Sequence, residues 1–369
     1  MRTKIILLAF LFAISWIDIR AQTFSNKVVG ENNAEISDSL KNVEYPYLLP
    51  ILGKKTVKAG FDIPYSAGLG LNYFWQRSGI IINNLEIGFN NKPKVNLDGI
   101  ISFNDAISET NGINFRPDIY LFPFLNIYGI IGKSKSSTEI NASLSISDSI
   151  PTVNFSTTAE FTGTTFGFGL TPTIGVAGVW LAMDMNFTWS DIDALSKPVA
   201  AFIFDPRIGK AFKFKKQRAM AVWVGGFRIK LDSGTDGSLS LDELFSAEEI
   251  NTKVDESMAA IETGQQQVDA WWDNLTLQQQ NNPVNIAKHD AANRVIDGAS
   301  TLVAGLSDAA TNLSNSTVQY SLDKKQKDLW NFLLGAQYQF NKHFMLRGEY
   351  GFLSERSTFL LGFQYRFGL

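Results

Sequence analysis

The last 40 residues alternate between apolar and polar side chains, and this period-two pattern constrains the possible folds more than any other feature. Residues 330–340, 344–352 and 358–367 each place aromatic and aliphatic side chains on one face and polar or small side chains on the other. Such alternation predicts three β-strands joined by tight turns. The aromatic residues lie at the strand ends with aliphatic residues between them. This layout predicts an outward apolar band between two aromatic girdles, as in a membrane-spanning barrel.

The N-terminus predicts export from the cytoplasm. Arg2 and Lys4 precede an apolar run from Ile5 to Ile17, and Ala21 supplies a small residue before Gln22. This order predicts a secretory signal peptide at residues 1–21, with an N-terminal membrane anchor as the alternative. No other stretch approaches 18 uninterrupted apolar residues, and the mean hydropathy of -0.03 is too low for a helical membrane protein. An exported chain of this kind is soluble or a β-barrel, and the alternation favours the barrel.

Weaker alternation recurs along the chain and predicts the number of strands. Nine further strands are expected at about 67–76, 80–89, 94–103, 113–122, 124–134, 163–174, 179–190, 198–209 and 219–231. The total of about twelve is even, as single-chain bacterial barrels require. With the C-terminus in the periplasm, the short connections near 90–93, 123, 175, 212–215 and 341–342 fall on the periplasmic side. The connections at 104–112, 135–162, 191–197 and 232–327 then fall outside, which is the usual asymmetry.

These patterns divide the chain into five parts. They are a signal peptide at 1–21, a periplasmic N-terminal arm at 22–66, the first part of the barrel at 67–231, a helical insertion at 232–327, and the last three barrel strands at 328–369. In the insertion, residues 241–275 and 285–313 have helical spacing of apolar residues, and Pro283 separates them. The insertion is expected to form an extracellular helical hairpin. It would pack on the barrel mouth, form a cap that binds a ligand or partner, or fold into the lumen as a plug.

The insertion opens with a segment that resembles an EF-hand calcium loop. Asp232, Asp236 and Glu243 fall at positions 1, 5 and 12 of the motif, and Gly237 falls at position 6. The segment departs from the motif at position 3, where Gly234 replaces an oxygen ligand, and a strand precedes it where the family has a helix. A weak calcium site is one prediction, and a Gly/Asp turn before an acidic helix start is the other.

Charged residues inside spanning strands must face the barrel interior, because lipid does not solvate them. Alternation assigns eleven such residues to the lumen: Glu86, Arg116, Asp118, Asp184, Asp205, Arg207, Arg228, Lys230, Arg347, Glu349 and Arg366. Six are basic and five are acidic. They would either pair and stabilise a narrow barrel or line a polar pathway for small solutes. Their near-balance argues against strong ion selectivity.

Composition and motifs exclude several functions. The formal charge of -3 gives no basic surface for nucleic acid, and the absence of Cys excludes disulfides and thiolate metal sites. The sequence contains no hydrolase elbow, zinc-protease motif, Walker loop or dinucleotide fingerprint. The two histidines are not placed to serve a serine nucleophile. The sequence therefore predicts no enzyme, and no cofactor apart from the possible calcium.

Several segments carry a resemblance to a known class of protein. The strands WNFLLGAQYQF, HFMLRGEYGF and QYRFGL, the segment RPDIYLFPFLNIYGIIG and the Ala-Gln signal-peptide end look like uncharacterised outer-membrane β-barrels of the Bacteroidetes type. STFLLGFQYRFGL is similar to the terminal strand by which such barrels are recognised for assembly, although Gly368 and Leu369 follow its final aromatic residue. The resemblance implies the bacterial outer membrane, with its lipid and the barrel assembly machinery as partners.

Two functions remain open at this stage. The barrel would be a passive pore or transporter for small polar solutes. Alternatively, it would be a non-conducting barrel that anchors an extracellular helical binding module.

Overall fold

The computed structural model describes residues 38–144, 153–176, 178–214, 217–231 and 234–369. The predicted signal peptide lies outside these residues. Thirteen strands are described: β1 Ala67–Phe89, β2 Val95–Asn96, β3 Ile101–Phe122, β4 Leu125–Leu144, β5 Val153–Val176, β6 Val179–Ile192, β7 Val199–Lys213, β8 Ala219–Leu231, β9 Gly234–Ser240, β10 Thr317–Gln326, β11 Trp330–Gln339, β12 Phe344–Leu353 and β13 Arg356–Phe367. Ten of them form a closed antiparallel barrel, and β2, β9 and β10 lie outside it.

The barrel closes because β1 pairs on both of its sides. One side pairs with β3, and the other pairs with β13 from Ala67 opposite Phe367 to Arg77 opposite Ser357. Between β8 and β11 the sheet continues directly, so the 98 residues from 232 to 329 are inserted between two neighbouring strands. A closed sheet has no free edge, and this satisfies the backbone hydrogen-bonding groups where no water is available.

The two ends of the barrel differ. The proximal end, as we name it, holds the start of β1, the end of β13, and the short connections 123–124, 177–178, 214–218 and 340–343. The distal end holds the longer connections. β1, β3, β4 and β5 have 20 to 24 residues, whereas the other barrel strands have 10 to 15. About 9–11 residues suffice to cross a bilayer, so the four long strands extend past the rest of the barrel at the distal end.

The prediction of about twelve strands was too high by two. The predicted strands 67–76 and 80–89 are one strand, and 94–103 is mostly the short β2 and the loop before β3. The polar residues 76–79 do not turn, because they stay paired with β3 as far as Gly79 opposite Ile107. As a result, the predicted loop 104–112 lies within β3. The connection 90–93, predicted at the periplasmic side, lies at the distal end.

The insertion forms a compact cap on the distal end. β10 pairs with the distal half of β1, and β9 pairs with β10. The helices are α2 Ala247–Asp273, α3 Leu277–Gln280 and α4 Pro283–Ala310, preceded in the chain by α1 Gly53–Lys58. α2 begins six residues later than predicted because residues 234–240 form a strand and Ser246 and Glu249 form a capping box. Pro283 is the first residue of α4 rather than a separator, and Asn282 caps it. None of the helices among the described residues has the length and apolarity needed to cross a membrane.

An apolar core joins the helices to the strands. Ile250 and Val254 of α2 and Val303 of α4 pack with Phe89 and Val318. A second cluster joins Ala299 of α4 to Leu85, Leu97, Leu144 and Val153 from β1, β4, β5 and the loop after β2. The helical hairpin is therefore packed onto the long strands at the distal end, against residues such as Leu144 and Val153 that share the inward-facing parity of Asn126 and Thr171.

An N-terminal segment, residues 43–66, crosses the proximal end, and we call it the arm. The Ile51 N–H donates to Leu121 O at the end of β3, at 2.9 Å. Across the opening, the Asp62 carboxylate lies 3.3 Å from Lys213 Nζ and 3.6 Å from Lys342 Nζ, at two proximal turns. Phe61 and Ile63 are buried. Residues 43–66, which belong to the predicted periplasmic arm 22–66, thus cover the proximal mouth.

Candidate functional site

The outer wall of the barrel is apolar on all sides. Every one of the ten barrel strands presents exposed large apolar side chains that alternate with buried or polar ones. Examples from successive strands are Leu71, Ile113, Ile131, Phe168, Met183, Ile208, Val222, Leu334, Leu346 and Leu361. Aromatic pairs such as Phe187 with Phe202 and Phe332 with Phe352 lie towards the distal end of this surface. The apolar side chains with flanking aromatics match the predicted band and girdle.

Arg207 of β7 lies at the centre of the barrel interior. Its guanidinium is ion-paired with Asp184 of β6, lies 3.1 Å from Glu349 Oε1 of β12 and lies 3.6 Å from Asp205 Oδ2. All four side chains are buried. Strands on opposite parts of the wall are therefore joined through one cation.

Two further arginines complete a six-charge network with these four residues. The Arg116 guanidinium carbon lies 3.4 Å from the ring centroid of Tyr128, and its Nη2 lies 3.9 Å from Asp184 Oδ1. Arg347 pairs with Glu349 and lies over the Trp223 ring, whose N–H also donates to Glu349 at 2.9 Å. Three cations face three anions. This balance is what burial of charge in a low-dielectric interior requires.

A second ion pair links the interior to the arm. Arg366 of β13 donates to Asp118 of β3 at 2.8 Å, and the Asn126 amide donates to the same carboxylate oxygen at 2.6 Å. The Arg366 Nε–H donates to the carbonyl of Tyr65 in the arm at 3.0 Å. This interior ion pair and the proximal cover are thus joined by hydrogen bonds.

A further buried arginine, Arg356, lies towards the distal end of the interior. Arg356 is 1% exposed, and its guanidinium carbon lies 4.9 Å from the Phe227 ring centroid. It donates to Gln76 Oε1 at 3.1 Å and to Asp328 O at 3.4 Å. The interior is therefore occupied by side chains at several levels along the barrel.

A cavity of about 140 Å³ remains in the proximal half of the interior. Arg116, Arg207, Arg347, Arg366 and Asp184 are its charged lining residues. Its polar lining includes Asn72, Asn126, Thr171, Thr173, Gln337, Gln364, Trp180 and Trp223. This volume holds about four or five water molecules at ~30 Å³ each.

The structure brings eight of the eleven predicted lumen residues together inside the barrel. They are Arg116, Asp118, Asp184, Asp205, Arg207, Arg347, Glu349 and Arg366. Glu86 does not join them, because it lies opposite Asn96 and Ser321 in the distal extension of β1.

Arg228 and Lys230 were assigned to the wrong face of β8. Both are exposed, whereas Ala221 and Trp223 are buried in the interior. Because Trp223 has the opposite parity to Arg228, the predicted alternation placed its side chain on the lipid-facing side. Its indole instead fits inside because Gly335 on β11 has no Cβ to collide with it. Arg228 therefore lies on the outer surface, 5.7 Å from the centroid of the exposed Trp330 ring.

Several interior residues were not singled out from the sequence. Alternation does place Trp180 in the lumen, because it has the same parity as Asp184. Tyr128 was assigned to neither face, and Trp223 was placed opposite Arg228, on the lipid-facing side. Arg356 could have been found, because it shares the parity of Arg366 once β13 is extended by two residues.

The predicted calcium ligands are not assembled in the described structure. Asp236 lies in β9, where hydrogen bonds from Lys94 and Ser321 lower its pKa, and Glu243 is exposed in the following loop. Asp232 lies outside the described residues. Within the described ranges no three His, Asp or Glu side chains are grouped to hold a metal ion. Calcium binding stays a prediction, and the strand at 234–240 gives it no support.

Comparison with known proteins gives a similarity of architecture at most. No protein-family model matches the chain, and no curated protein matches it. The chain is similar to the β domain of the Bordetella autotransporter BrkA, with 6% identity, 82% of this chain and 100% of that one covered, and a TM-score of 0.35. It is also similar to the translocator domain of the autotransporter NalP from Neisseria meningitidis, with 7% identity, 90% of this chain and 93% of that one covered, and a TM-score of 0.29. A Pseudomonas aeruginosa FadL homologue is similar with 8% identity, 82% of this chain and 90% of that one covered, and a TM-score of 0.27.

Proposed function

We propose that this chain is an outer-membrane β-barrel that anchors a helical cap and presents it outside the cell. The apolar side chains on all ten barrel strands support insertion in a bilayer, because so large an exposed apolar surface would not stay in water. In this arrangement the proximal end faces the periplasm and the distal end faces the exterior. Outer-membrane lipid surrounds the apolar band, and the barrel assembly machinery would recognise β13.

The observation that carries the proposal is the exposed apolar tip of the helical hairpin, residues 271–286. Leu277 is 79% exposed, Val284 60%, Ile286 40% and Trp271 37%. The buried residues of α2 end at Gly264, and those of α4 begin at Ile296. The hairpin therefore projects about 14 Å past its packed part, at 1.5 Å per helical residue. Exposed apolar clusters of this kind are typical of binding surfaces.

The barrel interior supports an anchor rather than an open pore. The six-charge network joins β3, β6, β7 and β12 across the lumen, the arm covers the proximal mouth and the cap covers the distal mouth. A solute would have to break buried ion pairs to pass, and separating them costs several kcal/mol.

Surface labelling tests the display of the tip directly, because the chain contains no cysteine. In intact cells, the variant Leu277→Cys should react with a membrane-impermeant maleimide. The matched variant Arg218→Cys, at an exposed position in a proximal turn, should react only after the outer membrane is permeabilised. Labelling of Arg218→Cys but not of Leu277→Cys in intact cells would refute the proposed orientation.

A second candidate function is gated transport of small polar solutes, and the interior cavity favours it. The arm would then have to leave the proximal mouth, and the Asp62 contacts with Lys213 and Lys342 would be the contacts to break. Replacing Asp62 by Asn should raise solute flux into vesicles if transport occurs. It should leave flux at the background level if the barrel is only an anchor.

A further inference from the structure

The lining of the interior cavity is unequal in hydrogen-bond donors and acceptors. Four arginines line it, but Asp184 is the one carboxylate among its described lining residues. Asp118, Asp205 and Glu349, which balance the other arginines, are not part of the lining. The barrel interior as a whole is balanced in charge, yet the cations face the cavity and most of the anions lie behind them.

Unpaired N–H groups reinforce this inequality. Trp180 Nε1 and Arg347 Nε are buried without a hydrogen-bond partner among the described residues, and both side chains line the cavity. Arg207 Nε also makes no hydrogen bond, but it lies 3.6 Å from Asp205 Oδ2 and is therefore not assigned to the cavity. Trp180 is only 7% exposed. The buried acceptors that lack a partner, such as Asp205 Oδ1 and Asn331 Oδ1, belong to residues outside the lining. A buried donor without a partner is costly, so these groups require an acceptor in the cavity.

The cavity also has an apolar part and a limited size. Ala182, Ala221 and Met345 line it together with Gly70 and Gly362. A volume of about 140 Å³ accommodates a molecule of few heavy atoms. Arginine presents a planar fork of donors that matches the geometry of a carboxylate. We propose that this cavity binds a small carboxylate with a short aliphatic group, such as acetate, whose oxygens accept from the unpaired N–H groups.

Calorimetric titration of the full-length protein in detergent tests the proposal, with acetate as the probe. Sodium acetate should show saturable binding, and sodium chloride at equal ionic strength should not. This inference does not depend on display of the cap, so labelling of Leu277→Cys and binding of acetate can fail independently.

Two tryptophans, one in the cavity and one on the outer wall, provide a matched pair of variants. The Trp180→Phe variant removes an unpaired N–H, so it should weaken acetate binding roughly tenfold, as expected for one hydrogen bond to a charged group. It should not lower thermal stability. The Trp189→Phe variant makes the same chemical change on the outer wall, where the ring stacks on Phe166 and does not line the cavity. It should leave acetate affinity within about twofold.

The variant Arg347→Lys gives a second measurement if Trp180→Phe does not fold. It keeps the positive charge but removes the unpaired Nε–H, and it should also weaken acetate binding. Heat-modifiable migration on a gel checks that each variant is folded. Absence of saturable acetate binding, or equal affinity of wild type and Trp180→Phe, would overturn the proposal. Binding of phosphate or sulfate without binding of acetate would overturn the carboxylate assignment.

Discussion

Arg207 stabilises the barrel by contacting three carboxylates from three strands. Removing its charge while leaving Asp184, Asp205 and Glu349 buried should be strongly destabilising, because two arginines, Arg116 and Arg347, would then face three carboxylates. We expect the variant Arg207→Met to lower the free energy of unfolding by about 3–5 kcal/mol. Urea unfolding in detergent, followed by gel migration, measures this change in the free energy of unfolding.

Arg228→Met is the matched control for Arg207→Met. Its free energy of unfolding should change by no more than about 0.5 kcal/mol, since Arg228 is exposed on the outer wall. Similar losses from both variants would contradict the assigned faces of β7 and β8.

Lys324 of the cap should make the stability of the cap depend on pH. It lies opposite Ile82 on the face that carries Leu322, and burial lowers its pKa from 10.5 to about 8. Below pH 8 the folded cap holds a charged, partly buried lysine. Between pH 8 and 10.5 the unfolded state binds more protons than the folded state, so stability rises with pH.

The substitution Lys324→Met should therefore increase the resistance of the cap to proteolysis at pH 7 by more than it does at pH 9.5. The control variant Lys325→Met changes the exposed neighbour and should have little effect at either pH. Limited proteolysis at both pH values measures this difference. An equal gain for Lys324→Met at both pH values would show that its charge is not the cause.

At the residue scale, the sequence predicts the interior charges better than the interior aromatics. A charged residue within a spanning strand has one tolerable direction, so parity assigns Asp184, Arg207 and Glu349 to the lumen. An aromatic ring is tolerated on either face. The placement of Trp223 depends on the missing Cβ of Gly335, which lies on a strand more than 100 residues away in the sequence.

At the element scale, the alternation pattern predicts the presence of a strand better than the residue at which the strand ends. β1 continues from Gln76 to Gly79 because its pairing with β3 is unbroken there and because Gln76 accepts from the buried Arg356 inside the barrel. A polar residue in a barrel strand can therefore mark a polar interior rather than a turn. The last three strands were predictable because their turns also contain residues suited to turns, such as Asn341, whose Oδ1 accepts from the N–H groups of His343 and Phe344.

The packing of α4 on the strands depends on two glycines, Gly298 and Gly305, that lie two helical turns apart on the same face. A Cβ on Gly305 would come within 2.8 Å of the Phe89 ring, and one on Gly298 would come within 2.5 Å of Ile100 Cδ1. The variant Gly305→Val should overpack this contact and destabilise the cap by about 1–3 kcal/mol. Ala304→Val is the control, because it places the same side chain at the exposed neighbouring position, away from the contact with Phe89. Limited proteolysis of the hairpin measures both. Equal protease sensitivity of the two variants would contradict close packing at Gly305.

At the scale of the whole molecule, three features close the barrel. The six-charge network spans the lumen, the arm lies across the proximal mouth and the cap packs over the distal mouth. Alternation and parity predicted the barrel and the position of the insertion. They left closure open, because closure depends on contacts between segments far apart in sequence, such as Tyr65 with Arg366.

Planar-bilayer conductance of the full-length protein tests this closure most directly. The account predicts no stable channel steps, because the network and both covers block the lumen. A variant without residues 43–66 should remain silent as well, since the six-charge network stays in place. Reproducible channel steps from the full-length protein would contradict the account and favour a pore.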